Sequence, residues 1–172
     1  MAGHVDVRVK VDAPLEVTWR IANETDSGGP AKDSGRHSPG HDVISWEPTR
    51  NRITYSITTP PDNAGHAWSY YVERTTDPAS KTAYARRWGN EHFTYSYAFW
   101  QYTGSDAGSE IRCVCDFEMA PGSPLSDSEM ATFMERGTRA AMEASARAAE
   151  EAAADAARSA AVATAVTDGE QE

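Results

Sequence analysis

The sequence predicts an α+β domain, a curved antiparallel sheet of about seven strands around a long C-terminal helix, with a cavity enclosed between them. Three observations carry this. Period-2 alternation recurs along the first two thirds of the chain, clearest in Val5-Asp6-Val7-Arg8-Val9-Lys10-Val11 and from Glu110 to Met119. Turn signals punctuate it at Glu47-Pro48-Thr49-Arg50-Asn51, Thr76-Asp77-Pro78-Ala79, Gly89-Asn90-Glu91 and Thr103 to Gly108. The alternation then stops at Pro121-Gly122-Ser123-Pro124, and Ser126-Asp127-Ser128-Glu129 opens an Ala-rich helical stretch with a capping box.

In order, Val5 to Val11 is a half-buried strand with its valines on one face. Asp12-Ala13-Pro14 then starts a helix over Pro14 to Asn23, because Pro is accepted in a first turn and Glu16 suits the positive end of the dipole. Thr25 to Gly40 is rich in Gly, Pro and charge, has almost nothing apolar to bury, and reads as a loop or lid. Six strands follow: Asp42 to Trp46, Arg52 to Thr59, His66 to Thr75, Lys81 to Trp88, Phe93 to Tyr102 and Glu110 to Met119. The final helix has its apolar stripe in Met130, Phe133, Met134, Ala141 and Met142, and high Ala propensity carries it to about Ala163. Residues 1–150 read as the folded domain and 151–172 as a projecting Ala-rich extension with an acidic tail.

Composition narrows the function classes. The 172-residue chain has 16 basic and 26 acidic residues, a formal net charge of −10, and no basic run. That argues against nucleic acid as main partner and against an anionic membrane surface. No segment approaches membrane-span length and the first residues lack a signal-peptide apolar run, so the default location is cytoplasmic. The two cysteines, Cys113 and Cys115, share one strand face, a poor geometry for a disulfide and too few ligands for structural zinc, so they read as small core-filling groups. His37 and His41 stand four apart, but in a stretch unsuited to a helix, and no metal site is assigned.

The strand from His66 organises the site. One face carries His66, Trp68, Tyr70, Val72 and Arg74, an aromatic row that ends in a guanidinium. Arg keeps its charge in proteins, so an inward Arg74 needs a partner, water or a ligand; the alternative is a strand-end Arg reaching solvent along its stem. The strand from Phe93 leaves two arrangements open. Its aromatic face (Phe93, Tyr95, Tyr97, Phe99) is either the core, or it lies outside as a partner or homodimer surface while Thr94, Ser96, Ala98, Trp100 and Tyr102 line the cavity.

Several stretches together resemble the single-domain aromatase/cyclases of bacterial type II polyketide synthases, such as the tetracenomycin and spore-pigment cyclases, in the START-like helix-grip superfamily (SRPBCC; polyketide cyclase/dehydrase). They are Ala13-Pro14-Leu15-Glu16-Val17-Thr18-Trp19 through Asn23, Pro61-Asp62-Asn63-Ala64-Gly65-His66-Ala67-Trp68, Arg74, Arg87, His92-Phe93-Thr94-Tyr95, Trp100-Gln101-Tyr102, Phe117 to Pro124, and Thr138-Arg139-Ala140. The resemblance implies a cavity with Arg74 as the central catalytic residue and Trp68, Tyr70, Arg87 and Trp100 lining it. It further implies a poly-β-ketone substrate delivered on an acyl carrier protein from the ketosynthase, closed by an intramolecular aldol and then aromatised.

Such chemistry suits these residue types. Methylenes between two ketones are already acidic, so the reaction calls for no cofactor and no metal, and positioning contributes most. Arg74 would stabilise the developing enolate oxygen, and Tyr70 would serve as proton donor or relay. The chain also departs from the family pattern. Tyr70 stands where the family has a second cavity Trp, and Val72 where it has a Ser. Cys113, Cys115 and Ala141 replace polar or aromatic positions, and residues 25–41 replace an aromatic-rich helical segment. With Ser96, these positions complete the expected substrate-binding set. A carrier protein is itself acidic, so docking would need local basic residues near the cavity mouth.

Overall fold

In the computed structural model, residues 2–23, 41–58 and 69–168 are described. The chain runs β1 (Gly3–Val11), α1 (Leu15–Asn23), β2 (His41–Glu47), a 3₁₀ turn (Pro48–Arg50), β3 (Arg52–Thr58), β4 (Ser69–Asp77), β5 (Thr82–Trp88), β6 (Phe93–Gly104), β7 (Ser109–Met119) and α2 (Asp127–Asp168). All seven strands form one antiparallel sheet in the order β1-β7-β6-β5-β4-β3-β2. The α+β fold, a sheet with a long C-terminal helix, is therefore the one predicted.

Local chemistry explains the turns and caps. The Pro14 carbonyl accepts the first α1 hydrogen bond, from Thr18 N–H at 3.0 Å. Asn51 closes the turn after β2 in the left-handed region (φ 47°), a conformation Asn tolerates better than most residues. At Gly89 (φ 81°) a Cβ would stand 2.8 Å from the Tyr71 ring, so the β5–β6 turn needs glycine there. The capping box at α2 forms as the sequence indicates, with Ser126 Oγ accepting from Glu129 N–H and the Glu129 carboxylate accepting from Ser126 N–H. α2 ends later than expected, at Asp168 rather than Ala163, because no breaker interrupts Ala, Val and Thr before Gly169. Its residues from Ala154 to Val162 are exposed, as expected of an Ala face with little area to bury.

The sheet's inner face holds two apolar clusters. One lies beneath the helices, built from Val5, Val7, Trp19, Cys113, Cys115, Phe117, Met130, Met142 and their neighbours. The second, Ile53, Tyr55, Ile57, Val72 and Ala85, covers β3, β4 and β5. Trp100 packs against both, and Arg74 lies at this junction. Along the register Arg74 faces Ala85, then Ala98, then Cys115. Two alanines in that row leave room beside a large guanidinium.

The open question on β6 is settled by burial. Ser96, Ala98 and Tyr102 are buried and Trp100 half-buried on the inner face, while Tyr97 and Phe99 are exposed. From Tyr95 on the aromatic row lies outside, whereas Phe93, set off by the register shift between Phe93 and Tyr95, packs inward edge-on to Phe117 at 6.0 Å.

Candidate active site

Alternation along β4 sends Tyr70, Val72 and Arg74 inward, as the sequence indicates, with Val72 and Arg74 2 % exposed. A charge that deep is tolerated only with close partners. Arg74 Nη2 donates to Asn23 Oδ1 at 2.7 Å, and the guanidinium carbon lies 4.5 Å from the centre of the Trp100 ring. Asn23 is held in turn, its Nδ2 donating to the Trp19 carbonyl at 3.1 Å. The buried Tyr102 hydroxyl lies beside Asn23 and Arg74, close enough for both to pull on its titration. Trp19 meets the Tyr102 ring edge-on at 5.2 Å. The last turn of α1 and the middle of β6 thus fix the plane and direction of the Arg74 fork.

Asn23, Tyr102 and Trp19 were not among the predicted site residues. Asn23 and Tyr102 belong to stretches that carry the family resemblance, and alternation put Tyr102 on the same face as Trp100.

Burial pushes the Tyr102 phenol above its ordinary value, against the opposing pull of Arg74 and Asn23. A raised folded-state value means that Tyr102 supports the fold fully below about pH 10 and ceases to as pH rises through it. In an alkaline absorbance titration Tyr102→Phe should remove amplitude only from the late, unfolding-linked part of the curve. Loss of amplitude near pH 10 instead would show an accessible phenol.

A second polar group stands one strand away. Arg87 pairs in register with Val72 and, across β6, with Ser96, whose Oγ accepts from Arg87 Nη1 at 3.3 Å. Arg87 and Thr138 of α2 also lie beside the Cys115 thiol. Cys113 and Cys115 are free thiols with their sulfurs 3.7 Å apart. The hydrogen bond from Cys113, aided by Arg87, holds the Cys115 thiol below its usual range, while that bond and burial push Cys113 up. Both are fully buried. Neither should react with a water-soluble disulfide reagent in the native protein, and both should react once denatured; a fast native reaction would mean that this face opens readily.

A cleft of about 220 Å³ is lined by Tyr70, Arg87, Trp88, Gly89, Asn90, Phe93 and Thr94. The structure thus brings Arg74 and Trp100 together at depth, Arg87, Ser96 and Cys115 beside them, and Tyr70 with Arg87 at the cleft. Ala141 stands on an exposed position of α2, one turn beyond Thr138. Trp68, the loop expected over residues 25–40 and His37 lie outside the described residues. Among the described residues no cluster of three or more His, Cys, Asp or Glu could hold a metal, and no helix is long and apolar enough to cross a membrane.

A seven-stranded antiparallel sheet packed against a long C-terminal helix is a helix-grip fold. The solved aromatase/cyclase ZhuI from Streptomyces sp. R1128 has this fold, with a TM-score of 0.68 at 19% identity over 87% of this chain and 94% of that one. A START-superfamily protein from Mycobacterium smegmatis matches with a TM-score of 0.57 at 13% identity, over 88% and 97%. In sequence, the chain is 29% identical over 142 residues to a Streptomyces cyaneus protein that bears the provisional name polyketide cyclase. That match spans 83% of this chain and 90% of the relative, in agreement with the family that the sequence resembles. No family model matches the chain.

Proposed function

We propose that this protein is a polyketide aromatase/cyclase that closes a ring in a poly-β-ketone by intramolecular aldol addition followed by dehydration. The observation that carries the reading is Arg74, a buried guanidinium aimed by Asn23 and Tyr102 under Trp100. The name of the Streptomyces cyaneus relative supports the substrate class.

In this reading the ketone chain enters past Tyr70 and Arg87. Arg74 hydrogen-bonds a ketone oxygen and stabilises the negative charge that gathers there as a water molecule takes the proton of the neighbouring methylene. The enolate carbon attacks a second carbonyl carbon of the same chain, a carbon–carbon bond forms, and the resulting alkoxide takes a proton from Tyr70 or water. Loss of one water and tautomerisation complete the ring. Trp100 supplies a flat apolar wall against which a planar ring stacks. The described cleft is smaller than the roughly 300–1,000 Å³ of pockets that enclose a drug-sized ligand, so it suits the reacting end of a chain. The rest would remain with its carrier protein, which Arg87 at the cleft could meet.

One observation favours a different role. Arg74, Ser96, Cys113 and Cys115 are all buried, and of the described site residues on the sheet Tyr70, Arg87 and Trp100 keep accessible surface. A protein that only holds the nascent chain would use those three alone.

Reconstitution with a ketosynthase, an acyl carrier protein and malonyl units separates the two. A cyclase converts the spontaneous product mixture to one aromatic compound. An unchanged mixture, with the chain merely protected, would favour holding.

A further inference from the structure

The outer face of the sheet carries aromatic surface that the proposed chemistry does not use. Tyr71, Tyr84, Trp88, Tyr97 and Phe99 are between 39 and 45 % exposed. They form one patch: Tyr71 pairs with Trp88 across β4 and β5, and Tyr84 with Phe99 across β5 and β6. Tyr71 stacks on Trp88 at 5.7 Å, Tyr84 on Tyr97 at 5.9 Å, and Tyr97 on Tyr95 at 5.8 Å. The rings steady one another and leave their outer faces to water.

With a fully buried aromatic worth about 150–250 Å², five rings at such exposure present on the order of 400 Å². Patches of that size mark interaction surfaces on soluble proteins. A standard interface takes about 800 Å² from each partner, so these rings supply about half, and the side chains around them can supply the rest.

Charge selects the occupant. The whole chain carries −10, yet charges of both signs border this patch, Arg52, Arg86 and Arg112 beside Glu73, Asp6 and Asp116. Arg86 pairs with Glu73 at 3.2 Å and lies over Trp88, Arg52 reaches Glu73 at 3.7 Å, and Arg112 holds Asp6 at 2.7 Å. An acidic partner would look for unpaired cations, whereas a locally neutral aromatic face suits an identical face. We propose that this surface is a homodimer interface, in which two copies pack outer sheet to outer sheet about a two-fold axis. Such contacts are isologous, so Tyr84 and Phe99 at the patch centre meet the same patch on the second copy. Sheets packed this way sit about 10 Å apart with aligned strands.

The test is sedimentation velocity over micromolar concentrations for the whole chain, Tyr84→Lys, Phe99→Lys, and Phe133→Lys as an exposed control on α2. Expected are a mass twice the chain's 18.7 kDa for the unaltered protein and the control. Each patch variant should dissociate with a constant raised about thirty-fold or more. Far-UV circular dichroism confirms that each variant is folded. A monomer at every concentration overturns the proposal, as does a dimer that both patch substitutions leave intact.

Discussion

Arg74→Lys is expected to lower the yield of the directed product about 100-fold or more, at unchanged far-UV circular dichroism. The substitution keeps the charge, so it asks whether geometry matters. A guanidinium is a planar fork of five donors, able to meet Asn23 Oδ1 at 2.7 Å and the Tyr102 hydroxyl, lie against the Trp100 ring, and still offer a donor. An ammonium is a compact, strongly hydrated point and cannot cover those positions together. Arg74→Ala should be at least as inactive. If Arg74→Lys directs the same product at a similar rate, charge alone suffices and the aimed fork is irrelevant. If both variants match the unaltered protein, Arg74 is structural, and the holding reading gains.

How far this site could be read beforehand depends on the kind of contact. Alternation is a property of one strand, so Val72 could be put on one face with Arg74, and Ser96 on one face with Trp100, from their own neighbours. The same rule put Tyr97 and Phe99 opposite Trp100. It could not say which face met the helices, because both are rich in aromatics and the answer depends on α1 and α2 packing over β1 and β7. The Arg74–Asn23 contact spans 51 positions and joins a helix end to a strand. No periodicity connects two such elements. Ala141 shows the converse: a position transferred by family likeness lands on an exposed part of α2. The length of α2 was underestimated for a simpler reason, since propensity declines gradually and only Gly169 marks a stop.

Trp19→Ala should produce the largest loss of stability, about 3–5 kcal/mol. Trp19 is 1 % exposed and sits where three layers meet, edge-on to Tyr102 of β6 and beneath the Lys81 ammonium, 5.5 Å from the ring centre. Removing it empties a ring-sized space in a close-packed region that can collapse only partly. At roughly 2–4 °C per kcal/mol for a chain of this size, the unfolding midpoint should fall by about 6–20 °C. Phe133→Ala is the matched control. Phe133 is 58 % exposed on α2, and Ala is the better helix former, so its midpoint should hardly move. Function should follow the core in this case. The Trp19 carbonyl anchors Asn23, Asn23 aims Arg74, and a shifted last turn of α1 would loosen the fork without touching it. The sharper readout is therefore product specificity at a temperature where Trp19→Ala is still folded. A broadened product mixture there ties the core to the chemistry, whereas a normal one would mean that Arg74 is held well enough by Tyr102 and Trp100 alone.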